Sequence, residues 1–276
     1  VRPELKAGAM MTAVLVFDIE TIPDVAGLRR VHGYDPAMSD ADVAEAAFAA
    51  REAKNGSRFL PHHLQKIAAI SCVLRRTQAD GTPAFHVGSL GGLADDEPVL
   101  IQKFFELIDR YTPQLVSWNG GGFDLPVLHY RGLIHGISAS RYWEMGEGRD
   151  YDSRDFKWNN YISRYHMRHL DLMDLLAMYQ PRANAPLDEL AKLCGFPGKL
   201  GMDGSQVWDA WQAGQLAQIR QYCETDVVNT YLLYCRFQQL RGAFSAEEFA
   251  AEVNVVRNAL AQEAGPQWPE YLAAFA

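Results

Sequence analysis

Val14-Leu-Val-Phe-Asp18-Ile-Glu20-Thr21-Ile-Pro23 is a run of β-formers that ends in two acids one residue apart and is stopped by a proline. In an extended strand, residues i and i+2 point the same way. Asp18 and Glu20 therefore leave the strand on one face, with Leu15, Phe17 and Ile19 on the other. Two carboxylates that close repel unless a proton or a cation sits between them. From this stretch alone two readings stay open: exposed acids in a turn, or part of a cation site.

The 276 residues are 48% hydrophobic, enough for a full core in one domain with insertions. No apolar run approaches the roughly 18 residues of a membrane helix. No charged-then-apolar leader precedes Val14, so secretion is not expected. Cys72, Cys194, Cys223 and Cys235 are scattered without a C-x-x-C pair. That predicts a reducing, cytoplasmic setting and small buried hydrophobes, not a zinc site or a disulfide framework. The net charge of -8 argues against broad non-specific binding of nucleic acid. It leaves room for a nucleic-acid enzyme whose acids are concentrated where cations neutralise them.

Outward from the first strand, residues 24–63 read as a helical insertion, with Ser39-Asp40-Ala41-Asp42 opening a helix that ends near Asn55-Gly56. The charges Arg51, Lys54 and Arg58 are expected on a solvated face of it. Lys66–Leu74 and Ala84–Leu90 are predicted strands that continue an antiparallel meander. Glu97–Arg110 has helical apolar spacing, and Gln114–Trp118 is a further strand. Asn119-Gly-Gly-Gly-Phe123-Asp124 then hands over to a helix. Leu170–Leu176 reads as a strand passing into a helix, and Leu216–Leu240 as one long helix. A last helix, Glu247–Leu260, precedes a weakly structured tail. The sum is an α/β domain with a mixed sheet flanked by helices, spanning 12–241, followed by a C-terminal helix and tail over 242–276.

Three glycines before Asp124 let backbone approach something closely, at the strand end where open α/β sheets bind ligands. The phosphate-loop alternative fails, because no Gly-Lys-Ser/Thr follows. Asp124 is also open to a helix N-cap reading. Tyr222 and Asp226 are four apart and share a helix face. Asp226 lies at the margin of an apolar stripe, where a charge is costly unless paired or metal-bound. Gly148–His169 interleaves aromatic residues with arginines and a lysine. That pattern suits stacking of single-stranded bases or the packing of a loop.

Asp-x-Glu, Asn-x-x-x-Phe-Asp and Tyr-x-x-x-Asp occur in that order. Together they resemble the DEDD superfamily of 3′–5′ exonucleases in its tyrosine-containing DEDDy branch, DnaQ-like in type and ribonuclease H-like in fold. Phe17-Asp-Ile-Glu-Thr-Ile-Pro23, Phe59-Leu-Pro61, Trp118-Asn119, Gly198-Lys199 with Asp203-Gly204-Ser205, and Tyr222-Cys-Glu-Thr-Asp226 look like the bacterial family of predicted 3′–5′ exonucleases related to the exonuclease domain of family B DNA polymerases. The resemblance covers about residues 14 to 240.

The resemblance implies hydrolysis of phosphodiesters with two divalent ions, Mg²⁺ or Mn²⁺, roughly 3.5–4 Å apart. Asp18 would bridge them, Glu20 and Asp226 would complete the nucleophile-side ion, and Asp124 would hold the leaving-group ion. Tyr222 would orient the attacking water. Thr21, Ile22, Asn119 and Phe123 would contact the terminal nucleotide, with turn and core roles as the alternative. Lys199 is a candidate phosphate contact. Asp171 and Asp174 are expected in structural roles, Asp174 as a helix cap. The implied substrate is the 3′ end of single-stranded DNA or RNA, with DNA favoured and a polymerase or repair partner left open. The competing readings are a strand-binding module without catalysis and a nucleotide phosphatase.

Overall fold

The computed structural model describes residues 13–148 and 151–275. Among them, β1 (Val14–Pro23), β2 (Gln65–Thr77), β3 (Pro83–Ser89), β4 (Gln114–Ser117) and β5 (His169–Asp171) form one sheet, in the order β3-β2-β1-β4-β5. β2 runs antiparallel to β1, and β3 antiparallel to β2. β4 and β5 add in parallel on the other side of β1. The meander and the parallel pair thus meet at β1, giving the mixed, ribonuclease H-like sheet expected.

The helices are α1 (Val25–His32), α2 (Asp40–Asn55), α3 (Glu97–Tyr111), α4 (Asp124–His135), α5 (Tyr151–Asp155), α6 (Leu172–Leu176), α7 (Leu187–Leu193), α8 (Val207–Gln212), α9 (Leu216–Leu240), α10 (Ala246–Leu260) and α11 (Trp268–Ala273). Alternation along β1 assigns them to two layers. Val14 and Val16 pack with Val227, Val228 and Tyr231 of α9. Leu15, Phe17 and Ile19 pack with Phe104 of α3 and Leu125 and Leu128 of α4. Both faces are covered, which is why the strand reads as nearly continuous apolar sequence. It also turns Asp18 and Glu20 toward α9.

Two stretches are more ordered than their sequence suggests. The insertion holds a second helix, α1, with Asp24 accepting from the Gly27 N–H at 3.0 Å as its cap. Gly33 ends it at φ 69°, a conformation that costs glycine little. With α2 it encloses a small core of Leu28, Val43, Ala47, Leu60 and Leu64. The tail is the second case. Trp268 and Tyr271, three apart on α11, are 3% and 0% exposed and join the α9 core. α10 is tied to the sheet by a buried ion pair, Arg75 with Glu252, whose Oε1 also accepts from the Tyr231 hydroxyl at 2.5 Å. No helix among the described residues is long and apolar enough to cross a membrane.

Candidate active site

β1 and α9 bring the first carboxylates together. Asp18 and Glu20 stand on the strand face that looks at α9. Just past them the pairing slips: Glu20 opposes Ala69 and Thr21 opposes Ile67, leaving Ala68 as a bulge on β2. Bulges of this kind re-aim side chains at the ends of paired strands. Across from them, α9 buries Ile219, Cys223 and Val227 and lowers Tyr222 and Asp226, both 4% exposed, beside the strand acids.

Asp124 closes the group from the other side. Phe123, not Asp124, holds the N-cap position of α4 and makes no cap bond. Asp124 is the first helical residue, 3% exposed, and its Oδ1 accepts the Ile19 N–H at 3.0 Å. That amide lies between Asp18 and Glu20, so one bond sets α4 against the acid pair.

The glycine loop has a physical reason that the sequence leaves undefined. A Cβ on Gly120 would lie 2.3 Å from Ser117 Oγ, and one on Gly122 would lie 2.4 Å from Asn119 Oδ1. The close approach is to the protein itself. Asn119, at φ 67°, starts the turn. Asp171 holds it by accepting from the Asn119 N–H at 3.0 Å and the Gly121 N–H at 2.8 Å. Asp171 also caps α6 through the Asp174 N–H, the place expected for Asp174. Asp174 instead pairs with Arg164 at 2.5 Å.

Among the described residues, one cation reaches the acids. Lys199 Nζ is 3.0 Å from Asp226 Oδ2 and donates to the Tyr222 hydroxyl. Its backbone N–H is held by Asp188 Oδ1 at 2.7 Å. Cys223 is the neighbour that sequence reasoning placed only in the core. Its Sγ donates to Asp18 Oδ2 at 3.5 Å, and the polar atoms of Asp18, Glu20 and Cys223 all lie within 4.8 Å of one another. Burial raises the Cys223 thiol well above its usual pKa, so it stays a thiol and donates a weak hydrogen bond. Its position one residue after Tyr222 was the available signal.

Four carboxylates face one ammonium, and the electrostatics show the imbalance. Burial, then Asp124, Glu20 and Asp226, raises Asp18 well above the usual carboxylate range. Glu20 is raised by burial and then by Asp226. Burial pushes Asp124 up to about 7. Asp226 is raised by burial although Lys199 and Tyr222 oppose the shift. Asp226 Oδ1 is buried with no hydrogen-bond partner. An orphaned carboxylate oxygen in a cluster of convergent acids fits a hard divalent cation.

The other candidate contacts divide. Thr21 gives its hydroxyl to Gln65 Oε1 at 3.2 Å. Ile22 is 3% exposed and packs with Ala68, Ile219 and Tyr222, so its side chain faces the core. The Phe123 ring meets Phe59 and His62 of the insertion at 5.4 and 5.5 Å. Phe59 is 56% exposed. In the aromatic-basic stretch, Arg149 and Asp150 lie outside the described residues. Phe156 and Tyr161 are core residues, with Arg168 over the Phe156 ring at 4.0 Å, while Trp158 and Tyr165 face solvent. Arg58 of the insertion is paired with Glu45 at 2.6 Å, as a solvated face predicts.

Comparison with known proteins matches residues 57–275 to a family described as predicted 3′–5′ exonuclease related to the exonuclease domain of PolB. The matched span includes Asp124, Lys199, Tyr222, Asp226, α10 and α11, and begins after β1. A stretch of 150 residues, 52% of the chain, is 27% identical to the catalytic subunit of DNA polymerase epsilon from Saccharomyces cerevisiae. It covers 6% of that protein, so the chain spans a small part of the relative it matches. With most of its length matched, this chain belongs to the family of predicted 3′–5′ exonucleases related to the exonuclease domain of PolB.

Proposed function

We propose that this chain removes nucleotides from the 3′ end of single-stranded nucleic acid, DNA favoured, by metal-dependent phosphodiester hydrolysis. The observation that carries the reading is the under-compensated cluster: four convergent carboxylates, one lysine, and a buried oxygen of Asp226 without a partner. Asp18, Glu20, Asp124 and Asp226 would hold two divalent ions. When bound, such ions lower the pKa of water and take up charge on the departing oxygen.

The chain's own residues do the positioning. Burial, then Asp226, Glu20 and Asp18, holds the Tyr222 hydroxyl protonated far above neutral pH. Its proposed role is to orient a water by hydrogen bonding. Burial works against the Lys199 ammonium, but Asp226, Asp18 and Glu20 outweigh it and keep it charged. It balances Asp226 and would meet a phosphate oxygen. Asn119 and Phe123, which precede Asp124 in the chain, and Thr21, which follows Glu20, would contact the terminal nucleotide.

The test is degradation of 3′-labelled and 5′-labelled single-stranded, duplex and recessed DNA and RNA, with Mg²⁺, Mn²⁺ or chelator. The expected result is release of labelled mononucleotide from the 3′ end and a descending ladder from the 5′-labelled strand. Tight binding without shortening would return the protein to a strand-binding module. Faster turnover of mononucleotides than oligomers would make it a phosphatase.

A further inference from the structure

The last helix of the chain touches α9 on both sides of Asp226. Gln267, just before α11, donates from Nε2 to Glu224 Oε2 at 2.7 Å. Tyr271 donates its hydroxyl to Asn229 Oδ1 at 2.8 Å. Glu224 and Asn229 lie two residues before and three residues after Asp226. Tyr271 and Asn229 are both 0% exposed, so neither polar group has water as an alternative partner.

Asn229 does not stop at Tyr271. Its Nδ2 donates to the Gly198 carbonyl at 2.8 Å, and its Oδ1 accepts the Gly198 N–H at 3.2 Å. Only one orientation of the amide satisfies both groups, and in that orientation Oδ1 also accepts the Tyr271 hydroxyl. Gly198 is fixed in its turn: it sits at φ 72°, and a Cβ there would lie 2.6 Å from Asp188 Oδ1. The next residue is Lys199, whose ammonium rests on Asp226 and Tyr222.

We infer that Tyr271 is a positioning residue of the candidate active site, acting through Asn229 and Gly198 to place the Lys199 ammonium on Asp226. The inference rests on the proposed function for its catalytic consequence but not for its geometry. The C-terminal helix belongs to the site in this account. Without the hydroxyl the Gly198-Lys199 turn loosens, and the ammonium is no longer held against the metal-binding acid.

The test is a double-mutant cycle of Tyr271→Phe and Lys199→Ala, read in three ways. Amide hydrogen exchange at Gly198 and Lys199 should rise in Tyr271→Phe. Calorimetric Mn²⁺ affinity should tighten about five-fold in either single variant, since a displaced ammonium no longer competes for Asp226, and no further in the double variant. The kcat for nucleotide release should fall about five-fold in Tyr271→Phe, with KM within two-fold of wild type, and should not fall again on the Lys199→Ala background. Leu272→Ala is the packing control: it loosens the same helix but leaves exchange at 198–199, Mn²⁺ affinity and kcat as in wild type. Unchanged exchange at those amides, additive effects in the cycle, or an equal effect from Leu272→Ala would overturn the inference. If Tyr271→Phe does not fold, Asn229→Ala is read in the same cycle with the same outcomes. A wild-type protein without nuclease activity sinks the proposed function alone, because the exchange measurement still decides the relay.

Discussion

α4 contributes to two clusters of acids, one on β1 and one just beyond it, and the two are finished differently. Just beyond β1, Asp24 meets Arg131 of α4 at 2.5 Å. Arg131 also grips Glu97 with Nε at 2.8 Å and Nη2 at 2.5 Å. Glu97 further accepts from Ile67 N–H at 2.7 Å and bonds His135 at 2.8 Å. That cluster has its own guanidinium at the centre. Among the described residues, the second cluster, Asp18, Glu20, Asp124 and Asp226, has only Lys199 at its edge and leaves an oxygen of Asp226 unpaired. The paired cluster locks α4 to the end of β1 and so aims Asp124. The unpaired cluster is costly to the fold, a cost that suits a site completed from solution.

The largest expected effects separate the two clusters into a loss of activity and a loss of stability. Asp18→Ala or Asp226→Ala should cut nucleotide release about a thousand-fold or more, with the fold intact by circular dichroism. Arg131→Ala should do the reverse, removing about 3–5 kcal/mol of stability in urea unfolding by leaving Glu97 and Asp24 buried without a partner. If Arg131→Ala is as stable as wild type, the contrast between the clusters fails.

Next in size is the coupling of metal to pH. Asp124, pushed up to about 7 by burial, has a folded pKa above its unfolded one. Its contribution to stability is therefore present below about pH 4 and lost as pH rises through about 7. Asp18, Glu20 and Asp226 shift in the same direction. Buried His169 and half-buried His129, each lowered to about 4 by loss of solvent, work the other way and lose stability as pH falls from about 6.5. The difference in Tm between Mn²⁺ and chelator isolates the acids and should grow from pH 5 to pH 8. A difference that shrinks over that range contradicts the assignment. Smallest is the metal-free gain from Asp18→Asn, about 2–4 °C in Tm by thermal scan for about 1 kcal/mol of relieved repulsion. No gain would mean that Lys199 already balances the cluster.

The parts legible in the sequence are those with short-range patterns. The alternation of β1 put Asp18 and Glu20 on one face, and helical spacing put Tyr222 and Asp226 on another. The strand-to-helix handover placed Asp124 at the sheet end. What stayed hidden depends on packing between distant segments. Nothing local shows that the glycines yield to Ser117 and Asn119, or that Asp171 and not Asp174 caps α6. Trp268 and Tyr271 resemble tail residues until α9 is there to bury them. Ile22 shares the strand face of Asp18 and Glu20, and only the packing of Ala68, Ile219 and Tyr222 around it makes it a core residue.

Calorimetric titration of Mn²⁺ decides whether the under-compensated acids Asp18, Glu20, Asp124 and Asp226 are a divalent-cation site. Wild-type protein should bind two ions per chain. Asp226→Ala and Asp18→Ala should each lose at least one of them, while Asp174→Ala, whose carboxylate pairs with Arg164 away from the cluster, should keep both. No binding by the wild type, or binding unchanged in the Asp18 and Asp226 variants, would contradict the account.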